Sequence, residues 1–104
     1  MKLVYDESRL QQFCHQRGIA KLELFGSALR EDFRADSDVD LLCTLSAEED
    51  KRCGLLGWVD LQLGLQDIFG RHVDLVSRSA IERSRNEYRK RAILKNLQSL
   101  YGEG

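Results

Sequence analysis

Apolar positions along the chain follow two rhythms. A helix is predicted from a cap at Asp6 or Ser8 through about Gln16, with Leu10, Phe13 and Cys14 on one face and Gly18 as its stop. Ile19 to Phe25 then reads as a strand, with Ile19, Leu22, Leu24 and Phe25 apolar. A short helix is expected over Ala28 to Phe33, then a polar loop from Arg34 to Ser37. Val39 to Leu45 is an apolar run of strand length. Ser46 with Glu48, Glu49 and Asp50 marks a helix start, because acids favour the positive end of the helix dipole. That helical stretch runs to Phe69, with a break at Gly54 or Gly57, and Gly70 stops it. Val73 to Val76 forms a third strand. Ser77 or Ser79 caps another helix, and a last amphipathic helix covers Glu87 to Tyr101 with Ile93, Leu94, Leu97 and Leu100 as its buried stripe.

The predicted order is α-β-α-β-α-β-α. Short strands alternating with helices imply an α/β (α+β) fold, a small sheet flanked by helices. One-sided and doubly wound arrangements fit the pattern equally. The 104 residues correspond to one domain, 1–104, with room for one sheet and a few helices. A large substrate therefore needs a partner or a second copy to help hold it. From Leu55 to Phe69 the apolar residues exceed one helix face. The excess predicts a second covered face against another subunit or partner, with Trp58 a candidate contact.

Composition narrows the classes. The chain is 42% hydrophobic and 32% charged with net charge −1, so it has no bulk electrostatic signature of a nucleic-acid binder. No apolar run reaches membrane-spanning length, and the N-terminal residues do not resemble a signal peptide. Cys14, Cys43 and Cys53 lack metal-ligand spacing and read as reduced thiols of a cytoplasmic protein. Seven basic residues between Arg78 and Lys95 face only Glu82 and Glu87. They read as a solvated face, with triphosphate, an acidic partner or RNA as alternatives.

Two features carry chemistry. Gly26-Ser27 sits at a strand end and opens a helix. Ten residues later, Asp38-Val39-Asp40 opens the next strand. Strand side chains alternate, so Asp38 and Asp40 share a face, and two adjacent carboxylates repel unless a cation sits between them. Mg²⁺ is the natural occupant where phosphate supplies further ligands. Asp74, flanked by apolar residues in the third strand, is the candidate third ligand. At Gly26-Ser27, exposed N–H groups, a glycine that admits close approach and a serine hydroxyl suit phosphate. His72, two residues before Asp74, is read as a strand-end surface residue that could instead share the acidic face. Two rival motifs fail. An EF-hand loop opening at Asp36 requires glycine where Leu41 stands and glutamate where Ala47 stands, and no Gly-Lys-Ser/Thr marks a P-loop.

Gly26-Ser27, ten residues, Asp38-Val39-Asp40 and a later apolar-Asp-apolar strand resemble the nucleotidyltransferase superfamily that includes DNA polymerase β. The fuller strings Gly26-Ser27-Ala28-Leu29-Arg30 and Ser37-Asp38-Val39-Asp40-Leu41-Leu42 resemble its minimal nucleotidyltransferase (MNT) branch. The resemblance implies a mixed sheet flanked by helices. It implies Asp38, Asp40 and Asp74 as ligands of two Mg²⁺ ions, with Asp74 beside the attacking hydroxyl. Gly26 and Ser27 would bind the β- and γ-phosphates of ATP, and Arg30 matches a basic position common in the branch. Glu31 departs from the glycine often found there. Proteins of this branch are commonly MntA-type antitoxins paired with a HEPN-family RNase toxin, and several transfer AMP to a toxin tyrosine. A hetero-oligomer with such a toxin is therefore implied, with no membrane and no direct nucleic-acid binding. Transfer to RNA ends or small molecules, and toxin binding without catalysis, are the alternatives.

Overall fold

A computed structural model describes residues 5–26 and 38–102. Helix α1 spans Glu7–Gln16 and is capped by Asp6, whose carboxylate accepts from the Arg9 amide. Strands β1 (Ile19–Phe25) and β2 (Val39–Leu45) follow. Ser46 caps the short α2 (Ala47–Arg52), and the chain breaks at Cys53-Gly54 before α3 (Leu55–Phe69). Gly70, at φ 68°, ends α3 in the left-handed conformation that glycine adopts without steric cost. Strand β3 (Val73–Ser77) runs directly into α4 (Arg78–Glu82), capped by Ser77, and α5 (Glu87–Leu94) is capped by Asn86. The helix expected over Ala28 to Phe33 lies outside the described residues.

One expected element differs. The helix predicted to reach Tyr101 ends at Leu94, and Gln98–Gly102 form a fourth strand, β4. Leu97 and Leu100 keep helical spacing, but β1 has an outer edge whose backbone groups need partners. Pairing that edge outweighs continuing the helix.

The sheet order is β3-β2-β1-β4, and β1 runs antiparallel to both neighbours. Strands β2 and β3 are parallel, with Val39 opposite Val73, Asp40 opposite Asp74 and Leu41 opposite Leu75. Helices cover both faces. On one face, Leu10 and Cys14 of α1 and Leu61, Leu65, Ile68 and Phe69 of α3 pack on Leu22, Leu24, Val39, Leu41, Cys43, Val73 and Leu75. Each fully buried leucine contributes about 1.5–3 kcal/mol. Phe13 of α1 lies against Gly64 of α3, where a Cβ would come within 2.5 Å of the ring, so glycine sets how closely these helices approach. On the other face, Ile81 and Ile93 pack on Phe25 and Leu42 in a smaller cluster.

That second face also carries the buried charge Glu23. Arg78, at the start of α4, donates to its carboxylate at 2.7 Å and to Glu82 at 3.0 Å. Lys21 lies 3.7 Å from Glu23. The pair ties the start of α4 to β1. The outer edge of β3 is closed from α3: the Val73 amide donates to Gln66 Oε1 at 3.2 Å, and Gln62 Nε2 donates to the Val73 carbonyl at 2.9 Å. The expected excess apolar face of α3 is present, carried by Leu55 (80% exposed), Leu56 (86%) and Leu63 (57%). Trp58 instead packs half-buried against the first core. No described helix is long and apolar enough to cross a membrane.

Two stability predictions follow from the buried groups. Arg78→Met removes the hydrogen-bonded partner of the buried Glu23 carboxylate, leaving it only Lys21 at 3.7 Å, and is expected to cost about 1–3 kcal/mol. In a urea-unfolding double-mutant cycle, Glu23→Gln is expected to recover part of that loss. Burial pushes the Cys14 and Cys43 thiols up from 9.0 to about 12. Their neutral forms then stabilise the fold fully below pH 9, and that contribution is lost as pH rises from about 9 toward 12. Iodoacetamide at pH 8 is expected to label Cys53 in the folded protein and to reach Cys14 and Cys43 only on unfolding, as peptide mapping would show.

Candidate functional site

The parallel register of β2 and β3 builds the candidate site. Paired residues on neighbouring strands project to the same face, so Asp40 and Asp74 stand side by side on the second face. Asp40 is half-buried and Asp74 is exposed. Across β1, Asp40 pairs with Phe25, the last residue of that strand. The row therefore reads Phe25, Asp40, Asp74 from the inner strand to the edge.

One step along the register, Asp38 and His72 precede the two strands. The Val39 amide donates to the His72 carbonyl at 2.9 Å, which ties these ends together. His72 Nδ1 lies 3.4 Å from Asp38 Oδ1, with both side chains more than half exposed. The histidine is thus part of the acidic end of the sheet. Its signal in the sequence was the two-residue spacing to Asp74, which alternation places on the same face.

Gly26 closes the row at the other side. It sits at φ 72°, and a Cβ there would overlap Asp40 Oδ2 and lie 3.2 Å from Asp40 Cγ. Glycine is required twice over, by the left-handed backbone and by the carboxylate pressed against it. Ser27 and Arg30, the other expected phosphate contacts, lie outside the described residues.

Hard-cation chemistry fits this donor set. Asp40 and Asp74 present neighbouring carboxylates, and the missing side chain of Gly26 lets the Asp40 carboxylate lie against the backbone at the end of β1. Among the described residues no three acidic, histidine or cysteine side chains converge as a ready-made cage. Asp38 is turned to His72. Among the described residues the arrangement is an open platform, not an all-protein metal cage. A cleft of about 390 Å³ opens at the outer edge of β3, and Asp74 lines it together with Trp58, Ile81 and Arg89. A larger hollow of about 840 Å³ lies at the opposite end of the sheet, among Ile19, Lys21, Thr44 and Gly102. Among the described residues no carboxylate or histidine lines it, so volume alone does not mark the chemistry.

Residues 7–100 match the nucleotidyltransferase domain family. The chain belongs to that family. No curated protein matches this nucleotidyltransferase at a significant level. Among solved structures, one assigned as a minimal nucleotidyltransferase is 28% identical, with a TM-score of 0.62 over 88% of this chain and 84% of that one. A toxin–antitoxin complex with AMP-PNP matches at 16% identity and a TM-score of 0.67, over 94% of this chain and 74% of that one. A complex of a tri-AMPylated Shewanella oneidensis HEPN toxin with an MNT antitoxin matches at 18% identity and a TM-score of 0.61, over 93% and 70% of the two chains. The last two likenesses establish a shared fold. The mixed sheet flanked by helices is the minimal nucleotidyltransferase architecture expected from the sequence.

Gly26→Ala in this nucleotidyltransferase is expected to displace the Asp40 carboxylate. Mn²⁺ binding in the presence of a non-hydrolysable ATP analogue, followed by electron paramagnetic resonance, should weaken roughly 10–100-fold. The left-handed backbone should add about 1–3 kcal/mol of destabilisation in thermal unfolding.

Proposed function

We propose that this nucleotidyltransferase moves AMP from ATP to a hydroxyl of a partner protein, a tyrosine of a HEPN-family RNase toxin, and thereby acts as a cytoplasmic antitoxin. The observation that carries the transfer reading is the pairing of Asp40 with Asp74, with Gly26 against Asp40. Support for the acceptor comes from likeness to the complexes holding AMP-PNP and a tri-AMPylated HEPN toxin.

In this reading Asp38, Asp40 and Asp74 would hold two Mg²⁺ ions, which would lower the pKa of the attacking hydroxyl and offset charge on the triphosphate and leaving pyrophosphate. The remaining work falls to the chain. Gly26, without a side chain, admits the phosphates to the backbone at the end of β1, with Ser27 and Arg30 as further contacts. Phe25 and the neighbouring apolar cluster exclude water beside Asp40, which strengthens its electrostatic interactions. Asp74, exposed at the sheet edge, stands where an acceptor can reach it and takes the hydroxyl proton. The acceptor oxygen forms a bond to the α-phosphorus as the bond to the β-phosphate oxygen breaks. Pyrophosphate leaves, and the proton passes from Asp74 to solvent.

A binding-only antitoxin is the second reading, and the exposed row on α3 favours it. Leu55, Leu56, Val59 and Leu63 offer an apolar surface for a partner whether or not transfer occurs.

The chain should be co-expressed with a HEPN partner and the partner's intact mass measured. Wild type is expected to add one or more AMP units. Asp38→Ala with Asp40→Ala should add none, and chelation of divalent cations should stop transfer by purified wild type. An unmodified partner that is still neutralised by the double variant would establish the binding-only reading.

A further inference from the structure

We infer that the exposed apolar row of α3 is an interface with a second copy of this chain, packed antiparallel about a two-fold axis through Val59. The inference goes beyond AMP transfer and does not depend on it. Leu55, Val59 and Leu63 follow one another at four-residue steps, so they form one ridge on the helix, with Leu56 beside it. Val59 is 43% exposed, and the three leucines are more so. The opposite side of the same helix faces the core, where Leu61, Leu65 and Ile68 are buried. Helix α3 is thus apolar on two sides, and among the described residues only one is covered.

The row has polar margins. On the α1 side, Asp60 and Asp67 are held by Arg17 and Arg9. On the β3 side, Gln62 and Gln66 reach to the Val73 peptide. Between them lies a strip one helix wide and, at about 1.5 Å per residue, about 12 Å long. An apolar centre inside a polar rim is the anatomy of a protein interface. The spacing names the occupant. Leu55 and Leu63 lie four residues to either side of Val59. A two-fold axis there sets Leu55 of each copy against Leu63 of the other, which is the self-complementarity that a symmetric dimer requires.

Charge favours the same arrangement. Helices α1, α2 and α5 each carry an acid in the first turn and a basic residue in the last. Helix α3 carries neither, and Gly54 gives its N-terminus no side-chain cap. Its dipole is not offset by charges at its own ends, and an antiparallel α3 alongside opposes it. Lys51 and Arg52 are exposed just before the row and Asp67 just after it, so a reversed copy brings acid toward base. Four side chains fall short of the roughly 800 Å² per partner of a standard interface, so association lies in the micromolar range or weaker. The row is on the face covered by α1 and α3, whereas Asp40 and Asp74 are on the other. Two copies joined here leave both acidic platforms uncovered.

The whole chain should be followed by sedimentation equilibrium from low micromolar to submillimolar concentration. Its average mass is expected to rise toward twice the monomer value. Val59→Lys places two like charges at the axis and should weaken association roughly tenfold or more, with the far-ultraviolet circular dichroism unchanged. Leu55→Glu, at a more exposed position, gives the same reading if Val59→Lys unfolds. Cys14 and Cys43 are buried, so a Cys53→Ser background allows single cysteines to report on the register. Val59→Cys should then form a disulfide-linked dimer under mild oxidation. Leu63→Cys alone should not, whereas its mixture with Leu55→Cys should. A monomer at every concentration, a dimer indifferent to Val59→Lys, or cross-linking of Leu63→Cys as readily as Val59→Cys overturns the interface. A wild-type chain that stays monomeric alone and loses a HEPN partner through Val59→Lys also overturns it, and gives the row to that partner.

Discussion

Everything at this site depends on one pairing: β2 lies parallel to β3 with Asp40 opposite Asp74. Had the register slipped by one residue, Asp74 would point into the face covered by α1 and α3, and Val73 onto the face that carries Asp40. Val39, Leu41, Val73 and Leu75 prevent the slip, because all four are buried beneath α1 and α3. The hydrophobic core therefore does more than stabilise the sheet. It fixes which carboxylates become neighbours.

The helices on the second face translate that register into a surface. Arg78 is anchored by buried Glu23, one row behind the acidic end, and this seats α4 where Ala80 and Ile81 wall the cleft beside Asp74. A buried ion pair contributes little net stability, because desolvation offsets most of the attraction. Its worth here is placement. Glu23 lies on a strand of otherwise apolar burial, and the arginine that satisfies it lies 55 residues away.

Much of this was legible in the sequence. The breaks at Gly18, Cys53-Gly54 and Gly70, and the caps at Asp6, Ser46 and Ser77, are local events, so local chemistry located them. The acidic strand positions were legible because alternation fixes their face once the strand is known. The last strand was not. Leu97 and Leu100 satisfy a helical period, and only the open edge of β1 decides against it. The contact between His72 and Asp38 also required knowing that β2 and β3 are adjacent and parallel, which neither strand encodes alone. The same holds for Trp58, Asp74 and Arg89, which three different elements bring to one cleft.

The two glutamines of α3 have a consequence of a different kind. Gln62 and Gln66 give the Val73 peptide the donor and acceptor that another strand would provide, so a helix stands in for a fifth strand. An uncovered edge beside an acidic platform would invite other chains to extend the sheet, and ordered aggregates grow in that way. With amide side chains in place, the sheet terminates at β3 and its growth is self-limiting. Only the portion beyond the glutamines, where Leu75 borders the cleft, is left for a visitor.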